Sequence, residues 1–392
     1  MMASNGAHGR HRRPPSRSVS LWQRVGLVFA ALLILAAAGV AVAKMTASRG
    51  TTSAATTAGS PAAANATTTT SQGPGPVTIS AVGDTDLGNT PDLPPDPSTY
   101  LQPVESALAA PIVFGNLEGT LTNATTSKCA AGSTECYAFR NPPSYAQIYR
   151  AAGFTVMNSA NNHSHDFGAQ GVADTTAALT SAGIVQAGLP GEIGLVTVGK
   201  TKVAFVDFAP YANVNNLLDF ATAKTLIAQA KAEANIVVVY MHAGAEGAAA
   251  DHVTGQEEYY VGEDRGNAKA FAHAAIDDGA NMVIASGPHV LRGMEDYEGH
   301  LIAYSLGNFA GYQNFSTDGT LDLGGILTVT LSGEGTFESG KFTSTTFSSV
   351  GQPSVDPSGA AASFVNQLSN QDFGAAAVTI LPSGQLVLPA AG

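Results

Sequence analysis

Charge is scarce in this chain. Asp, Glu, Lys and Arg make up 12% of 392 residues, and Lys plus Arg number only 18. Seven of those 18 lie in residues 1–50, which contain no Asp or Glu. The rest carries 11 basic against 30 acidic side chains, a formal −19. A domain so short of cations is a poor partner for nucleic acid, whose affinity depends on neutralising phosphates. It is compatible with holding cations, although surplus carboxylates are commonly just solvated surface. A Gly-rich loop ending in Lys-Ser/Thr is also missing, which argues against nucleotide-driven polymer synthesis by this chain in isolation. There are two cysteines, Cys129 and Cys136. Two cannot complete a four-ligand structural zinc site. In an exported protein they read as a local disulfide pinning a polar loop, with stabilisation at the low end for so short a closed loop.

One long apolar run is present. Residues 26–43 are uninterrupted and apolar, and Arg10, Arg12, Arg13, Arg17 and Arg24 precede them. As a helix the run spans ~27 Å, enough for a hydrocarbon core. The flanking charge keeps residues 1–25 in the cytoplasm and exports the chain beyond the run. Ala41-Val42-Ala43 would also serve as a cleavage site, so a signal-peptide core is the alternative; the length favours an uncleaved anchor. Residues 44–76, rich in Ala, Thr and Ser, cannot bury enough apolar surface to fold and read as a linker. Residues 77–392 form the expected exported domain, held at the cell membrane by a single pass.

Within it, short apolar runs alternate with helical stretches, the pattern of an α/β protein. Strands are expected over 77–82, 111–115, 153–157, 184–187, 195–198, 202–208, 236–241, 282–285 and 300–305, and antiparallel strands over 325–331 and 341–348. Helices are expected over 100–109, 143–152, 169–182, 219–234 and 267–278. The tail offers two weak strands, 377–381 and 385–388, around a Pro382-Ser383-Gly384 turn.

Five of the strand ends deliver polar groups: Asp84 and Asp86; Asn116 and Glu118; Asn162, His163 and Asp166; His242 and Glu246; His289. Each cluster alone could satisfy a turn or cap a helix. Five in succession, at the strand ends where open α/β sheets place ligands, point to a divalent-metal site. Two ions ~3.5–4 Å apart, bridged by a carboxylate, would activate a water and clamp a phosphate-like transition state. His165, His252, His273 and His300 do not share this pattern and read as structural.

The order Gly-Asp, Asn-Leu-Glu, Asn-Asn-His-x-x-Asp-x-Gly, His-x-Gly-x-Glu, Pro-His-Val-Leu and Tyr-Ser-Leu-Gly-Asn-Phe resembles the CapA family of poly-γ-glutamate capsule biosynthesis, over about residues 77–330. The resemblance implies a calcineurin-like metallophosphoesterase fold, a four-layer α/β/β/α sandwich. It implies a metal set of Asp84, Asp86, Asn116, Glu118, Asn162, His242 and His289, with Glu118 bridging and Mn, Fe, Zn or Ca as the ions. His163 would protonate the leaving oxygen, Asp166 would fix it, and Glu246 and Asn308 would form the substrate-binding wall. Gly287 stands where the family often has histidine, so one imidazole is missing; Asp86 is the expected compensation. The implied function is a metal-dependent hydrolase or transferase on a phosphoester or γ-glutamyl polymer, working beside capsule-synthesis membrane proteins. The alternative is a non-catalytic accessory protein holding an anionic polymer during export. A third reading, a purely structural surface domain, requires the five clusters to be scattered.

Overall fold

The computed structural model describes residues 73–389 except 134 and 135. The expected cytoplasmic segment, anchor and most of the linker lie outside the described residues. Among the described residues no helix is long and apolar enough to cross a membrane.

Two sheets dominate. Their strands are β1 (Val77–Asp86), β2 (Ile112–Leu117), β3 (Val156–Asn158), β4 (Val185–Ala187), β5 (Gly194–Val198), β6 (Thr201–Phe208), β7 (Ile236–His242), β8 (Met282–Ser286), β9 (Met294–Tyr297), β10 (His300–Ala303), β11 (Asn308–Gly311), β12 (Leu323–Leu331), β13 (Phe337–Phe347) and β14 (Pro353–Val355). The first sheet runs β14-β13-β12-β1-β2-β3-β4, with β11 also pairing with β1; the second runs β9-β10-β8-β7-β6-β5. The strands β1-β2-β3-β4 are parallel, as are β6-β7-β8-β10. The near-continuous apolar strands Ile236–His242 and Met282–Ser286 are buried throughout, as parallel strands covered on both faces must be.

Alternating side chains place three apolar layers. Ile79, Phe114 and Val156 of the first sheet meet Phe205, Val238 and Ile284 of the second in one buried cluster. Phe114 stacks on Phe205 with centroids 5.4 Å apart. The outer face of the first sheet is covered by α1 (Gln102–Leu108), α2 (Tyr145–Ala151) and α3 (Gly168–Ala182). The outer face of the second is covered by α4 (Phe220–Glu233) and α5 (Ala268–Asp277). This is the expected α/β/β/α order.

The helix boundaries reflect local chemistry. Asp219 and Asn267 accept hydrogen bonds from the backbone at the starts of α4 and α5, satisfying otherwise unpaired amides. Gly183 closes α3 in the left-handed conformation. One helix was not expected: α6 (Ala360–Phe373) buries Ala361, Val365, Leu368 and Phe373, the spacing of a helical face hidden in a polar composition. Strands β9, β11 and β14 were also not expected. The two tail strands pair as a short hairpin, Thr379–Ile380 with Leu386–Val387.

Candidate metal centre

The strand ends converge. β1 delivers Asp84, the turn after β2 delivers Glu118, and β7 ends on His242. Ligand atoms of these three buried residues lie within 4.8 Å of one another. Gly83 and Gly307 make this possible. A side-chain carbon on Gly83 would sit 1.9 Å from the Gly307 oxygen. That oxygen instead accepts the Asp84 N–H at 2.9 Å. The Gly-Asp and Leu-Gly-Asn motifs are thus one backbone crossing, read from two places in the sequence.

Asp84 is fully engaged. Its oxygens accept from Asn116 Nδ2 at 2.7 Å, from the Ser286 hydroxyl, and from the Gly287 N–H at 3.3 Å. Tyr240 Oη lies 2.5 Å from Ser286 Oγ, extending the network inward. His289 Nδ1 lies 3.0 Å from Asp84 and 2.9 Å from Asn308 Oδ1. His289 holds a left-handed φ of 58°, a backbone strain common at sites. Burial opposes charge in this pair, but each partner outweighs it: Asp84 comes down to about 2 and His289 goes up to about 10.

Glu118 and His242 behave oppositely. Burial, with Asp84 adjacent, raises the Glu118 carboxyl well above its usual range. Burial pulls His242 down to about 3. Glu118 Oε1, His242 Nε2 and Asn162 Oδ1 are buried with no hydrogen-bond partner. Buried polar atoms are normally paired. Glu118 and His242, each with an unpaired buried atom, meet Asp84 as a carboxylate and imidazole set that suits a divalent ion, and Asn162 carries a further unpaired amide oxygen on the loop that holds His163. The residues present therefore fit a metal.

Asn116 departs from its expected role as a ligand. Asn158 and Asn161 both donate to its oxygen, at 2.6 and 2.8 Å. Their own oxygens accept from backbone N–H groups of Ala160 and His163, which settles which way each amide faces. The Asn116 oxygen is thus occupied, and its NH₂ points at Asp84, Glu118 and His242. Asp86 departs too. A register shift between Asp84 and Thr85 re-aims it. Its carboxylate accepts from Asn314 and stands outside the group that Asp84 forms with Glu118 and His242. Burial raises it well above the usual carboxyl range.

His163 and Asp166 do come together, with His163 Nδ1 2.8 Å from Asp166 Oδ2. His163 Nε2 faces Glu118 Oε1 at 4.0 Å. Burial lowers His163, partly offset by Asp166. Glu246 pairs with Arg265, and its other oxygen lies 3.9 Å from His289 Nε2. The histidines read as structural are bonded elsewhere: His252 to Asp372, His273 to Glu295, His300 to the Asn281 carbonyl, His165 to Ser164.

Above the centre opens a cleft of about 340 Å³, floored by His163 and His289 and walled by Tyr137, Phe139, Tyr260 and Phe315. Glu246 and Asn308 line it. No Lys or Arg is among the described residues that do. Asn158, Tyr240, Ser286 and Lys128 belong to the site's support; nothing in the sequence singles out Tyr240 or Lys128, Asn158 is legible only as the first amide of the polar loop 158–168, and Ser286 only as a poor stand-in for the missing imidazole. Their signal was weak: each is a common residue inside a strand or loop.

Two stacked sheets between helices, with carboxylate, imidazole and amide groups gathered at the strand ends, define an α/β/β/α sandwich domain with a candidate metal centre. More narrowly, the chain belongs to the bacterial capsule synthesis protein PGA_cap family, whose model matches residues 78–313. It is 32% identical over 234 residues to the PGA biosynthesis protein CapA of Bacillus subtilis (strain 168), covering 55% of this chain and 57% of that one. It is 30% identical over 188 residues to the capsule biosynthesis protein CapA of Bacillus anthracis, covering 43% and 42%. The chain thus spans about half the length of these relatives. Among solved structures, the 5′-nucleotidase precursor from Thermus thermophilus aligns with a TM-score of 0.36 and 13% identity, over 69% of this chain and 54% of that chain.

Proposed function

We propose that this chain is a membrane-anchored, exported component of capsule or poly-γ-glutamate biosynthesis whose folded domain is a divalent-metal-dependent hydrolase. The observation that carries the metal is the buried meeting of Asp84, Glu118 and His242, two of which keep an unpartnered atom. Those residues would hold the ion, with Asn162, whose amide oxygen is also unpartnered, as the further ligand. Mn, Fe, Zn and Ca all accept such donors. When bound, the ion polarises a phosphoryl or carbonyl oxygen and lowers the pKa of a water. A second ion would have to displace the Asp84–His289 pair, so one ion binds firmly and a second weakly.

The chain's own residues supply the rest. Asp166 holds the proton of His163 on Nδ1, leaving Nε2 as the atom that exchanges a proton with a leaving oxygen. His289 and Asn308 orient an anionic head on the cleft floor. The aromatic walls exclude water from it. Because no Lys or Arg is among the described residues that line the cleft, an anionic group is held through the ion and the imidazoles. The substrate is a phosphoester or a γ-glutamyl polymer end.

The test is hydrolysis of a generic aryl phosphate and of poly-γ-glutamate by the full chain, with and without added Mn²⁺. Metal-stimulated turnover of either, lost in His163→Ala, supports the reading. Absence of turnover on both, with polymer binding that survives His163→Ala, supports the accessory role instead. That second reading is favoured by Gly287, which leaves one expected imidazole out.

A further inference from the structure

The disulfide loop grips the proton-handling pair. Cys129 and Cys136 are bonded, with their Cα atoms 5.6 Å apart. Lys128, just before the first cysteine, donates its backbone N–H to the Asp166 carbonyl at 2.7 Å. Its Nζ lies 2.7 Å from Asp166 Oδ1 and donates to the Asn162 carbonyl at 3.0 Å. Phe139, three residues after the second cysteine, donates its N–H to Asp166 Oδ2 at 2.6 Å. Its ring lies against that of His163, centroids 4.5 Å apart. The fully buried Asp166 carboxylate therefore meets three groups: the Lys128 ammonium as an ion pair, the Phe139 N–H and the His163 ring. Two come from opposite ends of one strap. The described residues between them are mostly small and exposed, so they give no core to hold the strap's ends together. The disulfide does this instead.

We propose that the Cys129–Cys136 strap is a positioning clamp for His163. Lys128 and Phe139, held side by side by the disulfide, fix the Asp166 carboxylate and thereby the His163 ring. Phe139 and Tyr137 then form the cleft wall above it. The clamp is complete only where disulfides form, which ties assembly of the site to an oxidising compartment. The inference rests on the reading of His163 as the proton-handling group, but its test needs neither ion nor turnover.

The test is carbethoxylation of histidines by diethyl pyrocarbonate in the chelator-treated full chain, with each histidine's rate read by mass spectrometry. In Lys128→Ala, and in Cys129→Ser/Cys136→Ser, the rate at His163 rises about tenfold, as expected when a buried carboxylate loses its ion-pair partner. Lys128→Arg restores the slow rate. His252, bonded to Asp372 on other elements, labels at the same rate in every variant, and the thermal melt stays cooperative. If His163 labels at the wild-type rate in Lys128→Ala, the clamp is wrong. That variant decides the question if the double-serine protein does not fold. A chain that binds no metal yet shows these rates keeps the clamp and loses the proposed hydrolase; one that binds metal without them does the reverse.

Discussion

At the scale of single residues, the site turns on one amide. Asn116 presents NH₂ to two carboxylates and an imidazole, where a ligand would present oxygen. Asn116→Asp keeps the acceptor that Asn158 and Asn161 require, and replaces the inward donor with an oxygen. In the metal-free protein this adds a charge beside Asp84 and Glu118 and costs about 2–4 kcal/mol. With metal present it adds a ligand, and affinity rises on the order of tenfold. Urea titrations with and without Mn²⁺ check both signs; a destabilisation that metal does not reverse would contradict this account of Asn116. Such a role was not legible in the sequence. The string Asn-Leu-Glu marks a polar strand end, but which atom of an amide faces inward is set by two other asparagines folded against it. Ser286 is a similar case, since its partner Asp84 is 202 residues away in sequence.

At the scale of elements, β1 is the strand on which the centre depends. Its second half crosses the Gly307 backbone so closely that Gly83→Ala should cost about 3 kcal/mol or more, or prevent folding; a variant that melts like the wild type would show the crossing to be looser. β6 carries a different liability. Asp207 is fully buried, and neither carboxylate oxygen has a partner. Burial, with Glu192 nearby, raises it well above 3.8. The folded state therefore binds this proton more tightly than the unfolded chain, so stability falls as pH rises from about 4 toward the raised value. Asp207→Asn removes that loss, so its stabilisation, about 1 kcal/mol or more at pH 8, shrinks at pH 4.5. Denaturant midpoints at the two pH values test it. Most elements were legible as apolar runs, Ile236–His242 above all. Asp86 was misplaced because a strand's alternation puts it on the face of Asp84, and only the register shift next to Asp84 breaks that rule. Helix α6 was missed because four apolar positions on one face are outnumbered by Asn, Gln and Ser around them.

At the scale of the whole molecule, the two sheets bring together strand ends from opposite halves of the domain. Asp84 and Glu118 come from the first sheet's side, and His242 and His289 from the second. A bound ion should therefore staple the sheets to each other. Saturating Mn²⁺ at about 100 times its dissociation constant would raise stability by ~2.7 kcal/mol, visible as an upward shift of the thermal midpoint that a chelator reverses. The most direct measurement is calorimetric titration of the chelator-treated full chain with Mn²⁺, repeated on Glu118→Ala and His242→Ala. The account predicts one firmly bound ion per chain in the native protein and loss of that binding in both variants. No binding in the native protein, or binding that both variants retain, would contradict it.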